Sequence, residues 1–199
     1  MFFGLIFLFF SLYFVPLKSF HYLLRPFCWL SCFFAAQWLV KEGAVPRGKN
    51  APYLYMFNHV SMFDQFMIVA FLKHYTTAIG ASEEFRWPIF GAVAKKYGGI
   101  PLDRKHLKKA IGTLKSAEEI IRKGTSIIIA PEGTRTITGT MGDFKKGPFH
   151  LALNTGATIV PIALINAFEA KKKTDWRLKP SLIKTRFGSP IHFAKYSNL

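Results

Sequence analysis

The amino-acid sequence predicts an α/β fold: a mainly parallel sheet flanked by helices, preceded by an N-terminal two-helix membrane anchor. Three observations predict it. From Ala51 onward, short apolar runs alternate with amphipathic stretches, the pattern of buried strands with helices laid across them. Two N-terminal runs, residues 1–17 and 26–40, carry no charged side chain. The chain is 50% hydrophobic yet has a formal net charge of +16, a combination that calls for an anionic partner. At 199 residues it is long enough for one sizeable core and too short for two.

Each N-terminal run falls short of the roughly 20 residues that a straight transmembrane helix needs. Pro16 and Pro26 are expected to break any continuous helix between them. A signal peptide opens on a basic n-region, whereas here the first charged side chain, Lys18, follows the apolar run. Residues 1–41 are therefore predicted to be a hydrophobic two-helix membrane anchor, spanning or re-entrant. Cys28 and Cys32, the only cysteines, lie in the second run and read as apolar filler. No further Cys or clustered His completes a ligand set, so no metal is expected.

Glu42–Asn50, with two Gly and a Pro, reads as a linker, leaving residues 51–199 as the α/β domain. Within it, Tyr53–Phe57, Thr76–Ala81, Ser126–Ala130 and Thr158–Ile165 read as strands. Phe66–Lys73, Pro88–Tyr97, Lys105–Arg122 and Pro148–Asn154 read as helices. The third is the clearest, with Leu107, Ile111, Leu114 and Ile121 at helical spacing and Gly124 to stop it. Pro161 assigns its strand to a sheet edge or an irregular rim.

Basic residues cluster along the domain, and from Lys171 onward eight of them face Asp175 alone. Beside two apolar segments, the natural counter-charge is an anionic lipid headgroup. No helix-turn-helix, zinc-finger or RNP1 sequence is present, so no nucleic-acid partner is expected.

Two groups with chemical potential follow strand ends, where ligands gather in such sheets. In Asn58-His59-Val60-Ser61-Met62-Phe63-Asp64, the carboxylate can fold back onto the imidazole, fix its tautomer and leave the other nitrogen as a general base. Standing alone, an H-x4-D is more often a helix cap beside a loop histidine. In Ala130-Pro131-Glu132-Gly133-Thr134-Arg135, Gly133 permits close backbone approach and Arg135 offers a planar fork suited to phosphate. Glu132 is placed to orient that Arg or accept a hydroxyl, and a plain turn with a surface ion pair is the equal alternative. Gly98–Arg104 (GGIPLDR) adds Arg104 as a second phosphate candidate. Ile159-Val160-Pro161-Ile162-Ala163 is read equally as core packing or as the wall of a substrate tunnel.

In order and spacing these four pieces resemble the membrane glycerolipid acyltransferases, in particular the 1-acyl-sn-glycerol-3-phosphate (lysophosphatidic acid) acyltransferase family. NHVSMFD matches the family's N-H-x-S-x-x-D block. GGIPLDR, PEGTR and IVPIAL resemble its second, third and fourth blocks, and the apolar N-terminal pair resembles its anchoring helices. The resemblance implies acyl transfer without a covalent acyl-enzyme. His59 deprotonates the acceptor hydroxyl, Asp64 orients it, and the alkoxide attacks the thioester of acyl-CoA or acyl-carrier protein. Arg104 and Arg135 hold the acceptor's phosphate, Glu132, Gly133 and Thr134 shape that pocket, and Pro161 lies in the fourth block. The product is phosphatidic acid, formed at the sn-2 hydroxyl of lysophosphatidic acid. No metal or redox cofactor is required. The partners are membrane phospholipids and the two substrates, with the catalytic domain on a membrane facing the cytoplasm.

Two positions depart from the family pattern. Ala81-Ser82-Glu83-Glu84-Phe85 lacks a lysine common after the second strand, and Ala130 replaces an aromatic residue. The alternatives are therefore transfer to another lysolipid or an aminolipid hydroxyl, or a catalytically silent membrane lipid-binding protein.

Overall fold

The computed structural model describes residues 2–192; residues 193–199 of the predicted domain, with Lys195 of the basic run, lie outside them. Seven strands form one sheet in the order β1-β7-β6-β2-β5-β3-β4. They are β1 (Gln37–Glu42), β2 (Tyr53–Phe57), β3 (Thr76–Ala81), β4 (Ile100–Leu102), β5 (Ser126–Ile129), β6 (Thr158–Ile165) and β7 (Ser181–Phe187). Every neighbouring pair is parallel except β6–β7. The expected α/β architecture with a mostly parallel sheet is therefore observed.

The central strands β2 (YLYMF) and β5 (SIII) are buried at every residue, as strands covered on both faces must be. Their side chains alternate between two layers. Tyr53, Tyr55 and Phe57 pack with α2 (His21–Phe34) and α3 (Asp64–Val69) around Cys32, Met67 and Ile68. Leu54, Met56, Ile127 and Ile129 pack with α5 (Leu107–Arg122) and α6 (Gly147–Thr155) through Ala117, Ile121 and Leu151. A third cluster joins α1 (Phe2–Ser11), through Leu8, to Phe20 and to Val93 of α4 (Phe90–Lys96). A short helix, α7 (Ala167–Ala170), follows β6.

Four features differ from the sequence prediction, each for a physical reason. Pro26 does not break its helix: α2 runs through it. The carbonyl that loses its partner belongs to Tyr22, an exposed residue on a face where that loss is cheap. Residues 37–42, the end of the predicted anchor and the first residue of the predicted linker, form β1 and pair with β7. Gln37 and Leu39 point inward while Trp38 and Val40 point out, a period of two hidden in an apolar run. Strand β7 was not predicted, although its residues alternate in burial from Ile183 to Phe187, because its outward positions are basic.

The fourth is Pro161. Its strand is internal, flanked by β2 and β7. The β6–β7 ladder ends at Ile162–Phe187, and the bridge Ile159–Ile191 lies one residue out of step beyond it. Pro161 sits in that bulge opposite Gly188, whose N–H donates to its carbonyl at 2.8 Å, so the missing amide interrupts no ladder bond.

The N-terminal helices contain 10 and 14 residues, about 15 and 21 Å at 1.5 Å per residue against a hydrocarbon core of about 30 Å. Among the described residues, no helix is long and apolar enough to cross a membrane.

Candidate active site

Strand β2 delivers Asn58 and His59 to the end of the sheet where β5 and β6 also finish. Asn58 fixes this exit. Its side-chain amide donates to the Leu164 carbonyl at 3.1 Å and its oxygen accepts the Leu164 N–H at 2.7 Å. His59 follows with its ring partly open to solvent, and its Nδ1 lies 2.8 Å from Asp64 Oδ2.

Asp64 occupies the first turn of α3 and is 1% exposed. The same Oδ2 accepts the Val60 N–H at 2.8 Å, and the carboxylate also takes the Ser61 N–H, at 2.9 Å through Oδ1. Burial raises the Asp64 carboxyl pKa, while the His59 ring and the two amides pull the other way. When ionised, this carboxylate can only accept, and His59 Nδ1 is then the donor of the pair, leaving the Nε2 lone pair free. Ser61 is buried, and its hydroxyl accepts the Phe63 N–H at 3.3 Å, which holds the loop.

Glu132, just after β5, is 5% exposed. Oε1 accepts the His59 N–H and Oε2 the Gly142 N–H, both at 2.7 Å. Each oxygen is therefore bonded to backbone, and Glu132 ties the histidine loop to the loop that holds Gly142. Gly133 has φ +73°, a conformation that favours glycine, and it lines the cleft beside His59.

That cleft encloses about 920 Å³, counted to its open mouth. Arg104, beyond β4, and Arg135, beyond the Glu132 turn, both line it, as do Glu84 and Trp87. Desolvation lowers the Arg104 guanidinium pKa; Glu84 and Glu83 raise it, and Arg135 lowers it further. Arg104 is thus a cation held short of solvent, answered mainly by Glu84 and Glu83, with the like charge of Arg135 as a smaller influence.

The structure brings His59, Asp64, Arg104, Gly133 and Arg135 into one cleft. Thr134 is exposed at its rim, its hydroxyl 3.4 Å from Lys173 Nζ. Pro161 does not join them; its ring packs on Gly188 in the sheet. Three contributors escaped the sequence reading of single motifs. Asn58 acts on a residue 106 positions away, for which no local signal exists. Glu84 was visible only as a departure from a family block. Lys173 was one of a surface run.

Behind the cleft lies a second, mainly apolar recess of about 800 Å³. It shares the lining residues Leu5, Phe66, Gly80 and Phe90 with the cleft, so the two adjoin. Leu5 and Leu8 of α1 and Leu24, Phe27 and Cys28 of α2 form one wall, and Ala78, Val93 and Ala94 form another. The N-terminal helices therefore form part of the recess wall. Among the described residues, no group of three or more His, Cys, Asp or Glu side chains could hold a metal ion.

A histidine–carboxylate pair and two arginines thus share one cleft at the strand ends of an α/β sheet. The chain belongs to the Acyltransferase family, whose sequence model matches residues 39–165. It is 36% identical over 143 residues to a 1-acyl-sn-glycerol-3-phosphate acyltransferase of Cocos nucifera, covering 71% of this chain and 46% of that protein. It is 32% identical over 142 residues to the protein of that name from Pseudomonas aeruginosa, covering 71% and 54%. The chain thus spans about half the length of the curated relatives it matches. The crystal structure of the 1-acyl-sn-glycerophosphate acyltransferase PlsC from Thermotoga maritima superposes with a TM-score of 0.83, covering 96% of this chain and 78% of that one. At 22% identity, that likeness is one of fold.

Proposed function

We propose that this protein transfers a fatty acyl group from an acyl thioester to the sn-2 hydroxyl of lysophosphatidic acid, giving phosphatidic acid. The observation that carries the reading is the His59–Asp64 pair at 2.8 Å in a cleft shared with Arg104 and Arg135 and adjoining an apolar recess. The arginines take the acceptor's phosphate as charge-assisted, fork-shaped donors. Acyl methylenes fill the recess, each contributing about 0.8 kcal/mol on burial.

His59 Nε2 removes the acceptor's hydroxyl proton as its oxygen attacks the thioester carbonyl. Asp64 holds the imidazolium that forms. The tetrahedral adduct then collapses, the C–S bond breaks, and the departing thiolate takes the proton from Nε2. Acyl-CoA or acyl-carrier protein enters as co-substrate, and no resident cofactor is needed. Residues Phe7, Phe10, Tyr13 and Phe14 turn aromatic rings outward from α1 and the turn after it, so the short helices lie on a membrane and open the cleft toward its lipids.

The test is thiol release from palmitoyl-CoA by the detergent-purified chain, with and without lysophosphatidic acid, beside His59→Ala. Release that needs the lysolipid and vanishes in the variant is expected. Release with no acceptor dependence, or undiminished in the variant, would overturn the reading.

One observation favours a second acceptor class. Glu84 lines the cleft in the block where the family's common lysine is missing, and a carboxylate there suits a cationic headgroup. Parallel assays with lyso-aminolipids distinguish the two, since activity on these alone would move the acceptor while leaving the chemistry in place.

A further inference from the structure

We infer that the segment between α7 and β7, residues 171–180, is a second membrane-docking element, seated on an anionic phospholipid surface across the cleft from α1. This rests on the reading of the chain as acting on a membrane lipid, and deepens it. Strand β6 runs parallel to β2, so the connection to β7 leaves from the end of the sheet that carries His59. In the sheet order it lies on the β6–β7 side of the cleft, whereas α1 packs on α4 near β3 and β4.

The segment is tied down from within. Asp175 binds the Arg177 guanidinium through both oxygens, each at 3.0 Å. The Lys171 ammonium donates to the Lys172 and Asp175 carbonyls, and the Lys179 N–H donates to the Ala170 carbonyl at 2.9 Å. Lys173 Nζ reaches Thr134 Oγ1, beside the arginine turn. Held in this frame, Trp176 is 87% exposed, the highest value among the large apolar side chains described.

Charge and continuity select the occupant. Five cations, Lys171, Lys172, Lys173, Arg177 and Lys179, flank Trp176 against two carboxylates, Asp175, which Arg177 engages, and Glu169, 3.1 Å from Lys172. An exposed indole among lysines matches the headgroup layer of an anionic bilayer, where tryptophan sits at the interface and cations meet lipid phosphates. The apolar rim continues toward α2. Leu182 stands opposite Trp38 in the β1–β7 register, both are about half exposed, and the Ser181 N–H donates to the Ala36 carbonyl just past the helix.

The experiment uses the full chain and vesicles of phosphatidylcholine, alone or with an equal part of phosphatidylglycerol, containing no substrate. Sedimentation is compared for the parent, Trp176→Ala and the double variant Lys172→Gln/Lys179→Gln, with circular dichroism confirming that each folds. Partition into the anionic vesicles is expected to fall several-fold for Trp176→Ala and by about fivefold for each lysine neutralised, with little charge effect on the neutral vesicles. Lipids brominated near the headgroup should quench a fluorescence component that is missing in Trp176→Phe. Unchanged partition in both variants, or a Trp176 component that no brominated lipid quenches, would overturn the inference. Because binding is read without turnover, failure of acyl transfer and failure of docking show up separately.

Discussion

The Glu132 carboxylate accepts the His59 backbone N–H at 2.7 Å, joining two chain segments 73 residues apart. Its other oxygen holds Gly142, so one buried side chain sets the height of the histidine and the course of the following loop. Glu132→Gln keeps the size but supplies a single acceptor oxygen, leaving one buried amide facing an NH2 group. A stability loss of about 1–3 kcal/mol is expected, with a lower kcat and a nearly unchanged KM. Thermal melts with steady-state thiol release check this; a raised KM at constant kcat would place Glu132 against substrate instead.

Asp64→Asn tests the tautomer argument. The new amide can present N–H to His59 Nδ1, which then accepts, moving the ring proton to Nε2 and abolishing the base. A kcat lower by about 10²–10⁴ is expected, with the fold retained. Nitrogen NMR of the His59 ring reads the tautomer directly, and an unchanged tautomer with full activity would contradict the assignment.

Arg135→Lys preserves charge but removes the planar fork. Loss of a charge-assisted pair to phosphate is worth about 1.5–3 kcal/mol, so kcat/KM for lysophosphatidic acid should fall roughly ten- to a hundredfold, mainly through KM. The check is the same assay with a neutral monoacylglycerol acceptor, on which the substitution should have far less effect.

A stability change with pH is expected from His74, which lies between Tyr53 and Tyr55 with Nε2 3.1 Å from Ser126 Oγ. Burial, with a smaller contribution from His21, lowers its pKa from 6.5 to about 4. As the pH falls, the unfolded chain takes the proton first. The contribution is therefore complete above pH 6.5 and is lost progressively down to about pH 4. Melting temperatures measured across that interval should decline, and His74→Gln should flatten the decline.

Where the apolar pattern is local, the sequence shows the fold plainly. Tyr53–Phe57, Thr76–Ala81 and Thr158–Ile165 are read from composition with the bounds that the structure gives, since strands buried on both faces need uninterrupted apolar runs. Edge elements are harder. In β1 the outward positions are themselves apolar, Trp38 and Val40, so the strand merges with the helix before it. In β7 the outward positions include Lys184 and Arg186, so the strand resembles a basic surface. For the site, His59, Asp64 and Arg135 stand within short motifs and could be named. The tasks of Glu132 and Asn58 could not, because their partners are set by sheet order. Pro161 misled for a related reason: a bulge formed with Gly188 is a property of two distant strands.

The pairing of β1 with β7 also fixes an order of events. β1 has β7 as its single neighbour in the sheet, and Glu42 binds Arg186, 144 residues later. Strand β1 thus waits for β7, and contacts of such long sequence separation form late. Throughout synthesis the two apolar helices are joined to a strand with no place to dock, while β2, β5 and β6 can already align. The helices that wall the recess are thus tethered through β1 to a strand made after the other six described strands.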